Sequence, residues 1–426
     1  MRIWTIGAIV TIVAGLVAAA AVGQPPGPPP GYYGIAPGHD FPADPATLEG
    51  FRAKQDIHAQ RTHVWDVFAG INEPTPDGKY ARWETWYGED EAFQQGAAPQ
   101  ALGPHRVSRK FIVPHQLRTA GAAPQAAGSA ILSFVLFNYE TYTHIRTNGL
   151  YRLSILQGLQ QTGAADRNIA GNRTVPEFPV QSMSLKVVWW PVAHDKITPM
   201  PIWDGDPNPA SPAPKPNKTW PRVVAVDPTG NPAPNATYDI SFLGKMHAAS
   251  HRVPLAAFHS VVLDAAMASQ LNADPQLGPM GPAILGRPYQ AGDFVVLAGM
   301  HMTTKEIKDW VWATFWWHDR PDDGPFAADR PAGLPAPWNH YLMSASYDLN
   351  TPSAADGGPH TAFNPWLETA FANGVNSNCM NCHQRAGVPN VGFLPVKRGN
   401  PQPTDPAYAS GSLRTDFLWS ITDNAQ

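Results

Sequence analysis

Only two cysteines occur in this chain of 426 residues, and they stand three positions apart with a histidine directly behind them: Cys379-Met380-Asn381-Cys382-His383. This C-x-x-C-H spacing is the one that c-type haem attachment needs. Two thiols on one turn each add across a haem vinyl group, and the adjacent imidazole then meets the iron as proximal ligand. Scattered at random, two cysteines and fifteen histidines would give the pattern in on the order of 2 such chains in 10,000. Two other uses of the pair compete. A Cys379–Cys382 redox disulfide would need a βαβ context that the flanking residues lack, and half of a zinc site would need two more ligands drawn from histidines or carboxylates. The expectation is one covalent haem c held by Cys379, Cys382 and His383.

The sixth coordination position is more open. In the familiar small cytochromes c a methionine follows the haem motif, but here none occurs after Met380. A distal ligand must come from upstream, or the iron is five-coordinate. The candidates are Met300, His301 and Met302, in Gly299-Met300-His301-Met302-Thr303. On a strand the two methionines share one face and His301 takes the other, so only one set can meet the haem. Methionine would raise the reduction potential relative to bis-histidine ligation, whereas an open position would admit peroxide or small gases. The plain alternative makes the methionines core filler and His301 a hydrogen-bonded histidine. Other histidines compete: His247 and His251 could share a helix face, His340 and His360 lie in the half of the chain nearest the motif, and Asp319 could orient His318.

The elements that position these residues read as strands for the most part. Hydrophobic residues make up 43% and charged residues 15%, which is enough to build a core. With 46 prolines and 36 glycines spread without a visible repeat, loops are favoured over long helices. Strand character marks Phe111 to Val113, Ala130 to Tyr139, Ser184 to Trp190, Tyr238 to Phe242, Asp293 to Met302 and Trp310 to Trp317. The Ala130 to Tyr139 run also has the length of a short buried helix. Helices are expected within Pro45 to Arg61, His144 to Leu159 and Ser260 to Asn272, and a long Pro-rich surface loop over Asp204 to Pro234. Near the motif, Asn364-Pro365-Trp366-Leu367-Glu368 has the capping pattern of a short helix, stopped by Gly374. The fold class expected is α+β and β-rich: a sandwich-like antiparallel body with inserted short helices and long Pro-rich loops, plus a C-terminal haem-binding segment.

Residues 1–23 begin Met1-Arg2, continue through an apolar run and end in small residues, the order of a secretory signal peptide. Retention as a single anchor is the alternative, but no stop-transfer charges follow. The expected organisation is a signal peptide over 1–23, a Pro/Gly-rich leader over 24–44, a β-rich body over 45–374 and a haem-binding segment over 375–426. That places the mature chain in the periplasm or otherwise outside the cytoplasm, with no stable membrane span. A net charge of −4 and a pI near 6.4 imply no nucleic-acid partner.

Aromatic residues cluster at Trp189-Trp190 and at Trp310, Trp312, Phe315, Trp316 and Trp317. They could shield a haem edge, relay electrons or line a ligand pocket; core packing is the simpler use. The chain resembles an uncharacterised family of exported bacterial cytochrome c-like proteins. The likeness rests on Ser184 to Trp189, Gly299 to Lys305, Trp310 to Phe315 and Asn378 to His383, and it covers roughly the second half. It implies a β-rich body joined to a late haem motif, and it draws attention to His301 and Lys305 without assigning them roles. The function expected is electron transfer by a monohaem cytochrome with an exported redox-partner protein. A haem-dependent peroxidase or oxygenase with a small-molecule substrate and a Trp-lined open iron site is the alternative, and a gas sensor a third reading.

Overall fold

The structure is a computed structural model that describes residues 27–96, 110–114, 131–167, 169–206, 211, 213–348, 360–390 and 411–426. The expected signal peptide lies outside the described residues. Among the described residues, no helix is long and apolar enough to cross a membrane.

The first half contributes strands β1 (Tyr87–Gly88), β2 (Leu132–Phe137), β3 (Ala164–Ala165), β4 (Arg173–Thr174), β5 (Met183–Val192) and β6 (Thr198–Ile202). Then come β7 (Arg222–Asp227), β8 (Thr237–Phe242), β9 (Lys245–Pro254), β10 (Ser260–Val262), β11 (Phe294–Thr304) and β12 (Val311–Trp317). The last are β13 (Tyr341–Ser346), β14 (Gly387–Val388) and β15 (Leu413–Arg414). The principal sheet has the antiparallel order β1-β2-β5-β11-β12-β13, with β10 also pairing on β11. A second sheet runs β6-β7-β9-β8, and four two-residue strands form a third in the order β14-β15-β4-β3. The fold is therefore mixed α+β with several largely antiparallel sheets and is rich in strand.

Both faces of the principal sheet are covered, so β5, β11 and β12 lack polar alternation and are filled with β-branched and aromatic residues. One face carries Leu185, Val187, Met300, Met302, Ala313 and Phe315, in one core with Trp65 and Phe68 of the helix Ile57–Asn72. There Phe315 stacks on Phe68 at 3.9 Å and meets Trp65 at 5.2 Å. The other face is divided. At one end Trp190 meets Phe242 of the second sheet at 6.1 Å and Trp366 at 5.4 Å, which gives this part its sandwich character. At the other end Val135, Phe137 and Trp312 join Cys379, Met380 and Phe417 in a separate apolar cluster.

Several expectations take a different local form. The helix expected over Pro45 to Arg61 is two helices, Pro45–Lys54 and Ile57–Asn72, broken at Gln55 in the left-handed region (φ 56°), with Asp56 capping the second. Within the run from Ala130 to Tyr139, Leu132–Phe137 form strand β2, after which Asn138 caps the helix Tyr139–Thr147. Ser260 to Asn272 divides into β10 and the helix Ala265–Ala273. Phe111 to Val113 makes an isolated bridge from Ile112 to Ser133.

The Pro-rich stretch Asp204 to Pro234 is not all surface loop, because it contains β7. Its prolines pause between Pro221 and Pro228, leaving six residues free to pair with β6 and β9. The stretch expected as an extended leader is fastened down: the Tyr33 N–H donates to Thr85 Oγ1 (2.9 Å), and His39 bridges Asp66 (2.9 Å) and Glu73 (3.1 Å). The Ala43 N–H reaches the buried Glu306 carboxylate at 2.8 Å.

Candidate functional site

The cysteine pair opens the one-turn helix Cys379–His383, capped by Asn378, whose side chain accepts the Met380 N–H. The Asn378 amide also donates to Ser346 Oγ at 2.8 Å, and the Cys379 N–H donates to the Ala362 carbonyl at 2.9 Å. These bonds attach the helix to the end of β13. Cys379 and Cys382 are not joined to each other. Burial drives both thiols up, Cys382 to about 11, so they stay protonated at neutral pH. Such thiols are unlike the low-pKa thiolates that catalyse disulfide exchange or bind metals.

His383 is fixed from two sides. Its Nδ1 lies 2.8 Å from the Phe417 carbonyl oxygen, so Nδ1 carries the proton and donates it there. Its ring sits 4.4 Å from that of Trp312. Among the described residues, Nε2 has no hydrogen-bond partner. Burial lowers the pKa of His383 to about 3, against the pull of the Phe417 carbonyl, and the nearby charges of His301 and Lys186 lower it further. The imidazole is therefore neutral, in a single tautomer, with Nε2 as its unprotonated nitrogen. That is the state in which histidine binds a metal, and a backbone carbonyl on the second nitrogen is the usual outer partner.

The carbonyl comes from an unusual turn. Asp416 and Phe417 both have positive φ (47° and 70°), and the Leu418 N–H bonds the Thr415 carbonyl at 3.1 Å, as in a type I′ turn. Such turns ordinarily take Asn-Gly. A phenylalanine in the left-handed region costs on the order of 1 kcal/mol, which the surroundings must offset.

The three distal candidates are separated by the sheet. Met300 and Met302 are at most 1% exposed and belong to the core with Trp65 and Phe68, on the far face from the motif. Both methionines pack as core residues, because strand alternation directs them away from the face that carries Trp312. His301 takes the same face as Trp312. Its register partners are Lys186 on β5 and Thr314 on β12. Its Nε2 lies 3.1 Å from Glu368 Oε1, while Glu368 Oε2 accepts the Asn364 N–H at 2.6 Å.

Around this arrangement stand further ionisable groups. Burial lowers the pKa of Lys186, with Glu89, Asp423, Glu368 and Cys382 acting on its charge. Burial raises Glu89, and raises Asp423 to about 6. The site thus joins β5, β11 and β12 to the short helices at residues 89–92, 365–368, 379–383 and 419–424. Sequence reasoning named the cysteines, His383, His301 and Trp312 but missed the ionisable groups Lys186, Glu89, Glu368 and Asp423. Of these four, only Lys186 left a signal, as a lone lysine inside the apolar run of β5.

The other histidines singled out in the sequence lie elsewhere. His247 and His251 lie on β9, not on a helix, and His251 bonds Asp319 at 2.9 Å. His318 Nε2 pairs with Asp204 at 3.1 Å, while Asp319 stands 3.8 Å from its other nitrogen. The His340 ring stacks on Trp317, and His360 bonds the Ala345 carbonyl. The aromatic clusters serve mainly as core, with Trp189, Trp190, Phe315, Trp316 and Trp317 at most 1% exposed. Trp312 alone among them meets the motif histidine.

The donor set fits a covalent haem: two protonated thiols three apart on one turn, and a neutral imidazole whose outer nitrogen is held. Among the described residues, no group of three or more His, Cys, Asp or Glu side chains is arranged to hold a metal ion by itself. Comparison with protein-family models, with curated proteins and with solved structures finds no match to this chain.

Proposed function

We propose that this chain is an exported monohaem c-type cytochrome that passes electrons to or from a partner protein. The observation that carries the reading is the fixed tautomer of His383, which leaves Nε2 free one residue after the second of two thiols on the same turn. Cys379 and Cys382 would hold the porphyrin and His383 the iron. When bound, the haem supplies one-electron exchange at iron. The chain's own residues pack Trp312 against the proximal imidazole, keep Nδ1 protonated towards Phe417, and confine His301 and Lys186 to the same sheet face.

One observation favours the haem-enzyme alternative. His301 and Glu368 form a carboxylate–imidazole pair, with Lys186 in the adjacent register position. Groups able to hold and move protons are more than an electron carrier requires. The test is expression of the full chain in a host competent for cytochrome maturation. A Soret band and a mass gain of one haem are expected, both lost in Cys379→Ala/Cys382→Ala; a bare polypeptide mass defeats the proposal. Carbon monoxide binding to the reduced protein then separates an open iron from a closed one.

A further inference from the structure

On the haem reading, we propose that Lys305 is a positioning residue for the proximal histidine. Through Asp416 it holds the Phe417 carbonyl against His383 Nδ1, and so governs how strongly that imidazole donates to iron.

Lys305 follows the last residue of β11 and is 2% exposed. Its backbone N–H donates to the Ser182 carbonyl at 2.9 Å, which fixes its starting point. Three acceptor groups surround Nζ: the Lys308 carbonyl at 2.7 Å, the Asp416 carboxylate with both oxygens at 3.0 Å, and Glu177 at 3.4 Å. The ammonium also lies 5.4 Å from the Trp310 ring. A buried ammonium with three acceptors has little freedom to move, so it serves as a fixed post.

Asp416, the residue tied to that post, is the first of the two left-handed residues in the turn at 415–418. Packing around the turn is incomplete, since Asp416, Phe417, Gln384, Arg167 and Glu177 line a cavity of about 290 Å³. The turn has space into which it could relax. The Lys305–Asp416 ion pair opposes this relaxation, and Phe417, the strained second residue, presents its carbonyl to His383 as a result. Strain held at one carbonyl that bonds a candidate ligand marks a functional constraint more than a folding convenience.

Donation of Nδ1–H to a carbonyl makes an imidazole a stronger electron donor and lowers the potential of the iron it binds. Lys305→Met, Lys305→Arg and Asp416→Asn would be compared with the wild-type haem-loaded chain by redox titration. Asn accepts the left-handed region well, so Asp416→Asn keeps the turn available. Lys305→Met and Asp416→Asn are expected to raise the potential, lowering the oxidised-to-reduced ratio at fixed ambient potential about tenfold, or about 59 mV. Lys305→Arg should stay close to wild type.

Unchanged potentials in both variants with haem attached overturn the inference, and if Lys305→Met does not fold, Asp416→Asn decides alone. A wild-type chain without haem overturns the cofactor reading and this inference with it. Its mass reveals that case before any potential is measured.

Discussion

The indole of Trp312 and the imidazole of His383 lie with ring centroids 4.4 Å apart and planes tilted by 44°. Trp312 belongs to a strand of the principal sheet, and its Nε1 donates to the Asp309 carbonyl at 3.0 Å. The principal sheet therefore reaches His383 directly. Phe417, whose carbonyl takes the histidine proton, is packed beside the same indole at 6.1 Å. Sheet, motif helix and C-terminal turn meet at this one ring.

Removing that ring should loosen all three. Trp312→Ala is expected to cost about 3–5 kcal/mol of stability, as large-to-small changes at buried aromatics do. Trp312→Phe keeps an aromatic surface and should cost less. Urea unfolding measures both, and equal stability of Trp312→Ala and wild type contradicts the packing described.

Replacing the distal candidates one at a time should separate the two faces of β11. Met300→Leu and Met302→Leu are near volume-conserving changes in the core with Trp65 and Phe68, so each should cost less than about 1.5 kcal/mol. The visible spectrum should stay unchanged. His301→Leu should alter the spectrum or the carbon monoxide affinity of the loaded protein. A spectral change in either methionine variant would place the haem on the wrong side of the sheet.

Gly374 should tolerate no side chain. A Cβ added there would stand 1.8 Å from the Glu368 carbonyl oxygen, and backbone has to move to relieve it. Gly374→Ala is expected to cost at least about 1–3 kcal/mol, the range for overpacking. Because the clash pushes on Glu368, the His301–Glu368 contact should loosen too, visible as a changed spectrum of the loaded chain. Wild-type stability in this variant would contradict the close approach.

Acid stability should depend on Asp293. Burial pushes the pKa of this carboxyl up, but Arg287 bonds both its oxygens at 2.7 Å and His194 contributes at 2.8 Å. Together with the Gln290 and His194 backbone N–H groups they hold its pKa down to about 2. The folded state thus favours the ionised form. That contribution, about 2 kcal/mol, is fully present above the ordinary carboxylate range and is lost as pH falls from about 4 through 2. In Asp293→Asn the fall in urea midpoint between pH 4 and 2 should be correspondingly smaller; an identical slope counts against this assignment.

The long strands β5, β11 and β12 are legible in the sequence because a strand covered on both faces must be largely apolar. β7 is hidden, since its Pro-rich flanks suggest loop while only its pairing with β6 and β9 makes it a strand. The break at Gln55 is equally hidden, as a left-handed helix end needs no glycine when the following Asp56 caps a new helix.

By itself the sequence determined the spacing of the motif. The order Cys379, Cys382, His383 is a local pattern, and local spacing on one turn is decided by covalent geometry. It also determined that Met300 and Met302 oppose His301, because side chains alternate along any strand. Only the tertiary structure decided which of the two faces meets the motif, since that depends on where a helix eighty residues downstream comes to rest. The same holds for the proton of His383. Its acceptor is a main-chain carbonyl, which every residue possesses and no sequence pattern distinguishes until the fold brings one within reach.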